Sequence, residues 1–353
     1  MEAPISGKHP FQQFNLPDDP YWKDVTFDPR DDGLFSGEVE ELEALFQRAV
    51  REGGLLGFIR SYAAIAKRLL KKSLGPEIVR PVLINALGRL VTYHYFLTRR
   101  TRSNLNENIP SLRGWTVEPR MIEAAREQAA RMEREGVAVE DVDLEKLPEL
   151  KNWLMDTVRP VISGYVGIAA IKPWAQIRYA DAATHGDGWQ NYYKQHPYGY
   201  FHFDEFCYSI PTIIYLEDVD EECGPFSYVE GGDKMKQNYV LRAFHQAVGH
   251  DMAINPVLDE DRQAIGKFPD VFRGTDLVGT MTGPAPFENH EVKLATGKAG
   301  QVSMFEGFML PHAGGHPKTK SRKALFVAFR YPGKRIGDWS SMMAEKYLSF
   351  VLS

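Results

Sequence analysis

Two histidines and one aspartate have the residue types and the spacing of a metal site. His202 and Asp204 stand two positions apart, and His312 follows much later in the chain. Two imidazoles and one carboxylate make the facial triad that holds Fe(II) and leaves positions open for a cosubstrate and O2. Arg322, ten positions after the second histidine, is a candidate to bind a dicarboxylate cosubstrate. The pattern therefore predicts an iron-dependent oxygenase.

A second His-x-Asp tripeptide competes with the first. It is His185-Gly186-Asp187, in the segment THGDGW. About 0.6 such tripeptides are expected by chance at ordinary composition, so spacing alone does not separate a metal ligand from a structural histidine. We favour His202 because a predicted strand contains it, and we interpret His185 as a solvated loop residue.

The predicted strands decide whether the side chains of the triad converge. Side chains at positions i and i+2 of a strand point to the same face, so His202 and Asp204 can bind one ion. His312 ends a predicted strand, and Arg322 begins the next one after the loop 313–321. We expect these two strands to form a hairpin that sets Arg322 beside His312.

Arg178 is a further candidate for cosubstrate binding. It lies in the predicted strand AQIRYAD, and a guanidinium is well suited to bind a carboxylate. The alternative for this residue is an ion pair on the protein surface.

The chain changes character after Gly164, and this change predicts an α+β protein. Helical periodicity precedes it, and short segments rich in Val, Ile, Tyr and Phe follow it. The predicted helices cover 37–52, 54–73, 77–97, 119–135 and 148–163, and the predicted strands cover 165–171, 174–181, 200–206, 209–217, 301–305, 308–312 and 323–331. We expect the strands to close as a double-stranded β-helix, or jelly roll, because two packed sheets protect strand edges.

Three parts are expected along the chain. Residues 1–160 form an N-terminal arm and helical region packed on the core, 161–335 form the jelly-roll core, and 336–353 form a C-terminal helix. A long insertion, residues 231–300, interrupts the core. Insertions of this length between core strands are usually lids or binding loops.

Three ordered segments resemble the phytanoyl-CoA dioxygenase family of Fe(II)/2-oxoglutarate enzymes. They are HFDEF, which begins at His202, then TIIYLEDVDEECGP, and then GQVSMFEGFMLPH, which ends at His312 and precedes an arginine by about ten residues. The resemblance covers about residues 165–332. It implies that the two histidines and Asp204 bind iron and that Arg322 pairs with the distal carboxylate of 2-oxoglutarate.

The resemblance implies an enzyme that uses Fe(II), 2-oxoglutarate and O2 and releases succinate and CO2. Asp204 fills the position that related halogenases leave open, so hydroxylation or another oxidation of an unactivated C–H bond is expected. The substrate is expected to be a small molecule, a lipid or a glycolipid. Two alternatives stay open: a cupin-like metalloenzyme that does not use 2-oxoglutarate, and a non-catalytic jelly-roll protein that binds a membrane or a ligand.

Charge is distributed unevenly along the chain. The formal net charge is -5, but the segment from Arg48 to Arg102 has 12 Lys and Arg against two Glu, a net +10 that leaves -15 for the remainder. A basic surface of this kind predicts peripheral contact with an anionic membrane through residues 54–102. Nucleic acid is not expected as a partner, because the rest of the chain is acidic.

Cysteine content and hydropathy predict the location of the protein. Two cysteines are too few for a disulfide framework, so a reducing cytoplasm is expected. The first residues lack the pattern of a signal peptide, and no apolar run has the length of a transmembrane helix. We therefore expect a cytoplasmic protein, or one peripheral to a membrane.

Overall fold

The structure is a computed structural model that describes ten stretches of the chain: residues 33–72, 76–103, 115–166, 169–181, 204, 210–232, 237–245, 247, 291–315 and 317–330. Several predicted features lie outside these residues, namely His202, His185, the strand 200–206 except for Asp204, and the C-terminal helix 336–353. The chain forms two compact units, one of residues 1–103, 235–289 and 334–353, and one of residues 104–234 and 290–333. Residues 104–160, which we expected to belong to the N-terminal region, therefore share a unit with the strands.

In the described part of the chain, most helices come before most strands. The helices are α1 (Gly33–Glu52), α2 (Leu55–Lys72), α3 (Pro76–Ser103), α4 (Pro119–Glu135), α5 (Pro148–Trp153), α6 (Arg159–Val166) and α7 (Tyr239–His245). The strands are β1 (Trp115–Thr116), β2 (Val139–Val142), β3 (Lys172–Ala180), β4 (Thr212–Tyr215), β5 (Phe226–Val229), β6 (Val292–Ala295), β7 (Gln301–Met304), β8 (His312–Gly314) and β9 (Arg322–Arg330). A π-helical segment, Leu154–Val158, joins α5 to α6.

The unit that contains residues 1–103 is helical in its described part. Helices α1, α2, α3 and α7 contact one another, and α2 buries Phe58, Tyr62, Ile65 and Leu69 at helical spacing. The carboxylate of Glu43 on α1 accepts a hydrogen bond of 2.8 Å from the backbone N–H of Val240 on α7. Part of the predicted insertion 231–300 thus completes a helical core instead of forming a free loop.

The other unit contains two antiparallel sheets. A six-stranded sheet has the order β1-β7-β4-β9-β3-β2, and a three-stranded sheet has the order β6-β5-β8. Every strand pair within them is antiparallel. Helices together with antiparallel sheets confirm the predicted α+β class.

Strand register divides the six-stranded sheet into two faces. One face carries Ile177, Leu325, Val327, Ile214 and Val302, which are all buried. Helix α4 contacts β3 on this side and buries Ile122, Ala125, Ala129 and Met132, whose spacing gives the helix one apolar stripe. Its N-terminal Pro119 and the left-handed Gly136 after its last residue fix where it begins and ends.

The opposite face of the six-stranded sheet, here called the inner face, packs on the three-stranded sheet. Ile213 on β4 packs against a cluster of Phe226, Ala295, Phe305 and Leu310. The Tyr215 hydroxyl, also on β4, donates to the Ala295 carbonyl at 2.6 Å and accepts from the Phe226 N–H at 3.2 Å. One buried phenol therefore joins β4 to both β5 and β6.

Two predicted strands are wrong. Residues 165–171 do not form a strand, because Tyr165 and Val166 end helix α6. Short apolar runs such as this one do not distinguish a strand from a buried helix. Residues 308–312 are also not a strand, since Phe308 and Met309 lie in a turn and His312 begins β8 instead of ending a strand. The other strands at 174–181, 209–217, 301–305 and 323–331 correspond to β3, β4, β7 and β9.

Replacing Tyr215 with Phe is expected to destabilise the sheet unit. The change leaves a buried N–H and a buried carbonyl without the hydroxyl that joins them, at a cost of about 1–3 kcal/mol in the free energy of unfolding. Urea denaturation measures the difference. Tyr228→Phe is the matched control, because its hydroxyl makes no hydrogen bond within the described part of the chain. Equal stabilities of the two variants would contradict the role assigned to Tyr215.

Candidate metal centre

His312, the first residue of β8, is held in an orientation suited to a metal ligand. Its Nδ1 lies 2.9 Å from the Leu310 carbonyl oxygen. Because a carbonyl only accepts, Nδ1 carries the proton and Nε2 keeps its lone pair. The Phe305 and Phe226 rings pack on the imidazole, with centroids 4.6 and 5.7 Å away. Metal-binding histidines generally donate their other ring nitrogen to a carbonyl or carboxylate in this way.

The Asp204 carboxylate faces the lone pair of His312. Its Oδ1 lies 3.5 Å from His312 Nε2, and only 6% of the His312 side chain and 23% of the Asp204 side chain are exposed. Two donor atoms that each lie about 2.1 Å from one ion are about 3.0–3.5 Å apart when they subtend 90–110°. The nitrogen and the oxygen therefore fit a single divalent metal ion without a large rearrangement.

Gly307 makes room for the Asp204 carboxylate. A Cβ atom at Gly307 would lie 1.8 Å from Asp204 Oδ2 and 2.4 Å from its Cγ, which is far inside any permitted contact. The Gly307 carbonyl also accepts a hydrogen bond of 2.8 Å from the Asp204 N–H. Both the backbone and the side chain of the aspartate are thus positioned against one glycine.

Arg322 begins β9 on the inner face of the six-stranded sheet. Its Nη1 donates to the Gly315 carbonyl at 3.0 Å, and a Cβ atom at Gly314 would lie 3.2 Å from its Nη2. Burial lowers the pKa of Arg322, while Tyr215 and Cys223 oppose this shift. A guanidinium has five N–H donors, so most of them stay available for a carboxylate ligand.

The loop before Arg322 is fastened to a neighbouring turn. The Glu222 carbonyl accepts from the Lys318 N–H at 2.8 Å, the Glu222 carboxylate accepts from the Thr319 hydroxyl at 2.8 Å, and Lys320 pairs with Asp220. Lys323, one residue after Arg322, points to the other face of the sheet and pairs with Glu133 and Glu217 at 2.8 and 3.0 Å.

The predicted hairpin between His312 and Arg322 is wrong. Strand β8 pairs with β5 in the three-stranded sheet, whereas β9 pairs with β3 and β4 in the six-stranded sheet. The loop between them therefore crosses from one sheet to the other. The histidine and the arginine consequently belong to different sheets of the unit and are not neighbours on one hairpin.

Arg178 also lies on the inner face, opposite Ala324 in the register of β3 and β9. Its guanidinium lies over the Phe326 ring, 3.9 Å from the centroid. The side chain is accessible to solvent, yet it is surrounded closely enough for desolvation to lower its pKa. The Asp204 carboxylate opposes this shift and Arg322 adds to it, so all three charged groups interact across one region.

The structure brings Asp204, His312, Arg322 and Arg178 into one unit, but it does not describe His202. Within the described ranges, no three His, Cys, Asp or Glu side chains form a group that could hold a metal ion. The described part of the predicted triad is therefore the pair of Asp204 and His312.

Sequence reasoning missed three features that shape this site. The Leu310 carbonyl and Gly307 lie in the segment FEGFML, which we interpreted as a turn followed by a strand. Tyr228 lies directly opposite His312 in the register of β5 and β8. The only signal in the sequence was Gly307, next to the predicted strand that ends at His312. A glycine does not reveal which side chain occupies the space beside it, here that of Asp204.

Comparison with known proteins gives remote similarities only. No family model and no curated protein matches this chain. A prolyl-4-hydroxylase from Pseudomonas putida is 12% identical over 65% of this chain and 96% of its own, with a TM-score of 0.34. EctD from S. alaskensis is 9% identical over 65% and 76%, with a TM-score of 0.37. SnoK, a non-haem α-ketoglutarate-dependent carbocyclase from nogalamycin biosynthesis, is 18% identical over 62% and 80%, with a TM-score of 0.30.

Replacing Gly307 with Ala is expected to weaken metal binding by about 10- to 100-fold, the usual effect of disturbing a group that orients a ligand. The added methyl group overlaps the Asp204 carboxylate and forces it away from His312. Fe(II) titration under anaerobic conditions measures the affinity. Gly164→Ala is the control, because a Cβ atom at that helical position meets nothing within 4 Å. Unchanged affinity in the Gly307 variant would show that Asp204 does not bind the metal.

Proposed function

We propose that this protein is a non-haem Fe(II)/2-oxoglutarate-dependent dioxygenase that oxidises an unactivated C–H bond of a small-molecule, lipid or glycolipid substrate. The observation that carries the proposal is the approach of Asp204 Oδ1 to within 3.5 Å of His312 Nε2. An oriented imidazole and a carboxylate with little exposure are two of the three ligands of a facial triad. His202, two positions before Asp204 in the sequence, is the proposed third ligand.

In this proposal each residue has a defined task. Iron(II), together with 2-oxoglutarate and O2, supplies the oxidising chemistry, with succinate and CO2 as coproducts. His312 binds the metal through Nε2, and the Leu310 carbonyl keeps its ring in that orientation. Asp204 binds the metal through its carboxylate, and Gly307 provides the space for it. Arg322 binds the distal carboxylate of 2-oxoglutarate through the donors that Gly315 does not occupy.

The two sheets are proposed to be the two halves of a double-stranded β-helix. Packing of Ile213 on β4 against Phe226 on β5 and Ala295 on β6 supports this proposal. The crossing of the chain from β8 to β9 between sheets also supports it, because double-sheet jelly rolls are built from such crossings. This arrangement gives the metal ligands and Arg322 a shared interior.

A cupin-like metalloenzyme that does not use 2-oxoglutarate is the alternative function. It would need the metal ligands but not Arg322. The half-buried position of Arg322 on the inner face, where desolvation lowers its pKa, favours the cosubstrate-dependent enzyme, since a partly desolvated cation is stabilised when an anion binds it. A non-catalytic binding protein would need neither the metal nor the arginine.

Anaerobic protein with Fe(II) and 2-oxoglutarate is expected to show metal-to-ligand charge-transfer absorption in the visible range. His202→Ala and His312→Ala should abolish the band because each removes a ligand. Arg322→Leu should raise the 2-oxoglutarate concentration for half-maximal absorption at least tenfold, because charge-assisted hydrogen bonds are worth about 1.5–3 kcal/mol each.

Arg126→Leu is the control for the arginine variant, because its side chain pairs with Glu123 on the exposed surface of α4. If the wild-type protein binds Fe(II) but gives no band, the use of 2-oxoglutarate is contradicted. If Arg322→Leu keeps metal-dependent activity and no succinate forms, the cupin-like alternative replaces the proposal.

Peripheral contact with an anionic membrane is a separate part of the proposal. On helix α2, Arg60, Lys67 and Lys71 are exposed at positions that share one face with Leu56, whose exposed fraction is 70%. Basic residues with an apolar side chain among them suit the surface of an anionic bilayer. No helix in the described part of the chain is both long and apolar enough to cross a bilayer.

The triple variant Arg60→Gln, Lys67→Gln and Lys71→Gln is expected to lose about 3 kcal/mol of binding to anionic vesicles, at about 1 kcal/mol per basic residue near the surface. Co-sedimentation with phosphatidylcholine vesicles, with and without phosphatidylserine, measures this loss. Arg120→Gln, at the exposed start of α4, is the control. Wild-type protein that does not sediment with the serine-containing vesicles would refute membrane contact.

A further inference from the structure

The guanidinium of Arg178 is accessible to solvent and is held against an aromatic ring. It lies over Phe326 at 3.9 Å from the ring centroid, and desolvation lowers its pKa. Within the described part of the chain, no hydrogen bond or ion pair uses its N–H groups. Stacking on an aromatic ring fixes the plane of a guanidinium and leaves its edge available for a bidentate anion.

Arg178 and Arg322 are directed to different places. In the register of β3 and β9, Arg178 is opposite Ala324, which stands between Arg322 and Phe326 along the inner face. The Arg322 guanidinium donates to Gly315, whereas that of Arg178 lies over Phe326. The two side chains therefore diverge along β9. This divergence argues against a shared grip on one carboxylate of 2-oxoglutarate.

The charges of the groups proposed to bind iron and 2-oxoglutarate balance one another without Arg178. Fe(II), the Asp204 carboxylate, doubly charged 2-oxoglutarate and Arg322 together are neutral, with both histidines uncharged. Arg178 then adds one positive charge to the same region, where its interactions with Asp204 and Arg322 are strong enough to affect its pKa. Excess positive charge that is partly desolvated is unfavourable, and an anionic group of a ligand on the stacked, accessible guanidinium would offset it.

Arg178 has both polar and apolar neighbours: Gln176 shares its face of β3 and the Asp204 carboxylate acts on its charge, but apolar side chains also lie beside it. Val139, opposite Arg178 on β2, has an exposed fraction of 51%. The Trp174 ring meets Phe326 edge to face, with centroids 6.4 Å apart. Trp174, Phe326 and Val139 all belong to the inner face in the strand register. A ligand held here would place an anionic group on the arginine and an apolar part on the aromatic rings.

We infer that Arg178 binds an anionic group, a carboxylate or a phosphate, of the primary substrate, and that Phe326 and Trp174 contact the apolar part of the same molecule. The inference rests on the proposed function and adds the substrate class to it: an amphipathic anion. Of the two arginines, only Arg322 then binds 2-oxoglutarate.

Arginine modification by phenylglyoxal, followed by peptide mass spectrometry, tests this assignment without knowledge of the substrate. The full chain is loaded with Mn(II) in place of Fe(II), so that no oxidation occurs. Inorganic phosphate and acetate are then added in separate arms, with and without 2-oxoglutarate. Exposed Arg134 on α4 is the internal control for effects of ionic strength.

We expect phosphate or acetate to slow the modification of Arg178 about tenfold in the complex that contains 2-oxoglutarate, with no comparable effect on Arg134. A stronger effect of phosphate than of acetate would assign a phosphorylated substrate, and the reverse order a carboxylic acid. 2-Oxoglutarate alone should protect Arg322 and leave Arg178 reactive. Protection of Arg178 by 2-oxoglutarate alone would overturn the inference. A modification rate of Arg178 that neither phosphate nor acetate lowers would also overturn it.

A variant gives a second, independent readout. Arg178→Gln is expected to change the 2-oxoglutarate concentration for half-maximal charge-transfer absorption less than twofold, in contrast to the shift of at least tenfold for Arg322→Leu. A tenfold shift in the Arg178 variant would make it a cosubstrate residue and refute the substrate assignment. Absence of the band in wild-type protein would count against the proposed function itself, so the two failures are distinguishable.

Discussion

The contact between Asp204 and Gly307 is the constraint on which the rest of the site depends. No methyl group fits between them, because it would lie 1.8 Å from the carboxylate oxygen. The same glycine accepts the backbone N–H of Asp204, so the ligand segment and the turn after β7 are fixed to each other. That turn continues to the Leu310 carbonyl, which orients His312. One short segment, residues 307–312, thus controls the position of both Asp204 and His312, the two proposed metal ligands that the structure describes.

The second requirement is a fixed separation between the two sheets. Tyr215 joins β4 to β5 and β6 through its hydroxyl, and the apolar cluster around Phe226 and Phe305 fills the space between the sheets. Aromatic side chains of this cluster also pack on the His312 ring. The contacts that hold the two sheets together therefore also orient the His312 ring. A dense interior of this kind resists small displacements, which is what a site with exact donor positions needs.

Much of the site could be predicted from the sequence, because its chemistry depends on residue types at short spacing. Asp204 and His312 were selected by residue type and spacing, and the structure places their side chains 3.5 Å apart, while metal binding by them and cosubstrate binding by Arg322 stay predictions. The hairpin was wrong because the length of a loop does not specify which sheet its next strand joins. The strand at 165–171 was wrong because its apolar run is equally compatible with a buried helix. Gly307 and Leu310 act through contacts between distant segments, and such contacts have no local signature.

Arg322 and Lys323 are adjacent cations whose roles depend on which face of β9 each one occupies. A shift of β9 by one residue would place the lysine beside the metal ligands and the arginine among the carboxylates. Glu133 and Glu217 hold Lys323 on the outer side at 2.8 and 3.0 Å, and this double pairing selects one register. The ion pairs on the outer face of β9 therefore decide which of the two cations the inner face presents.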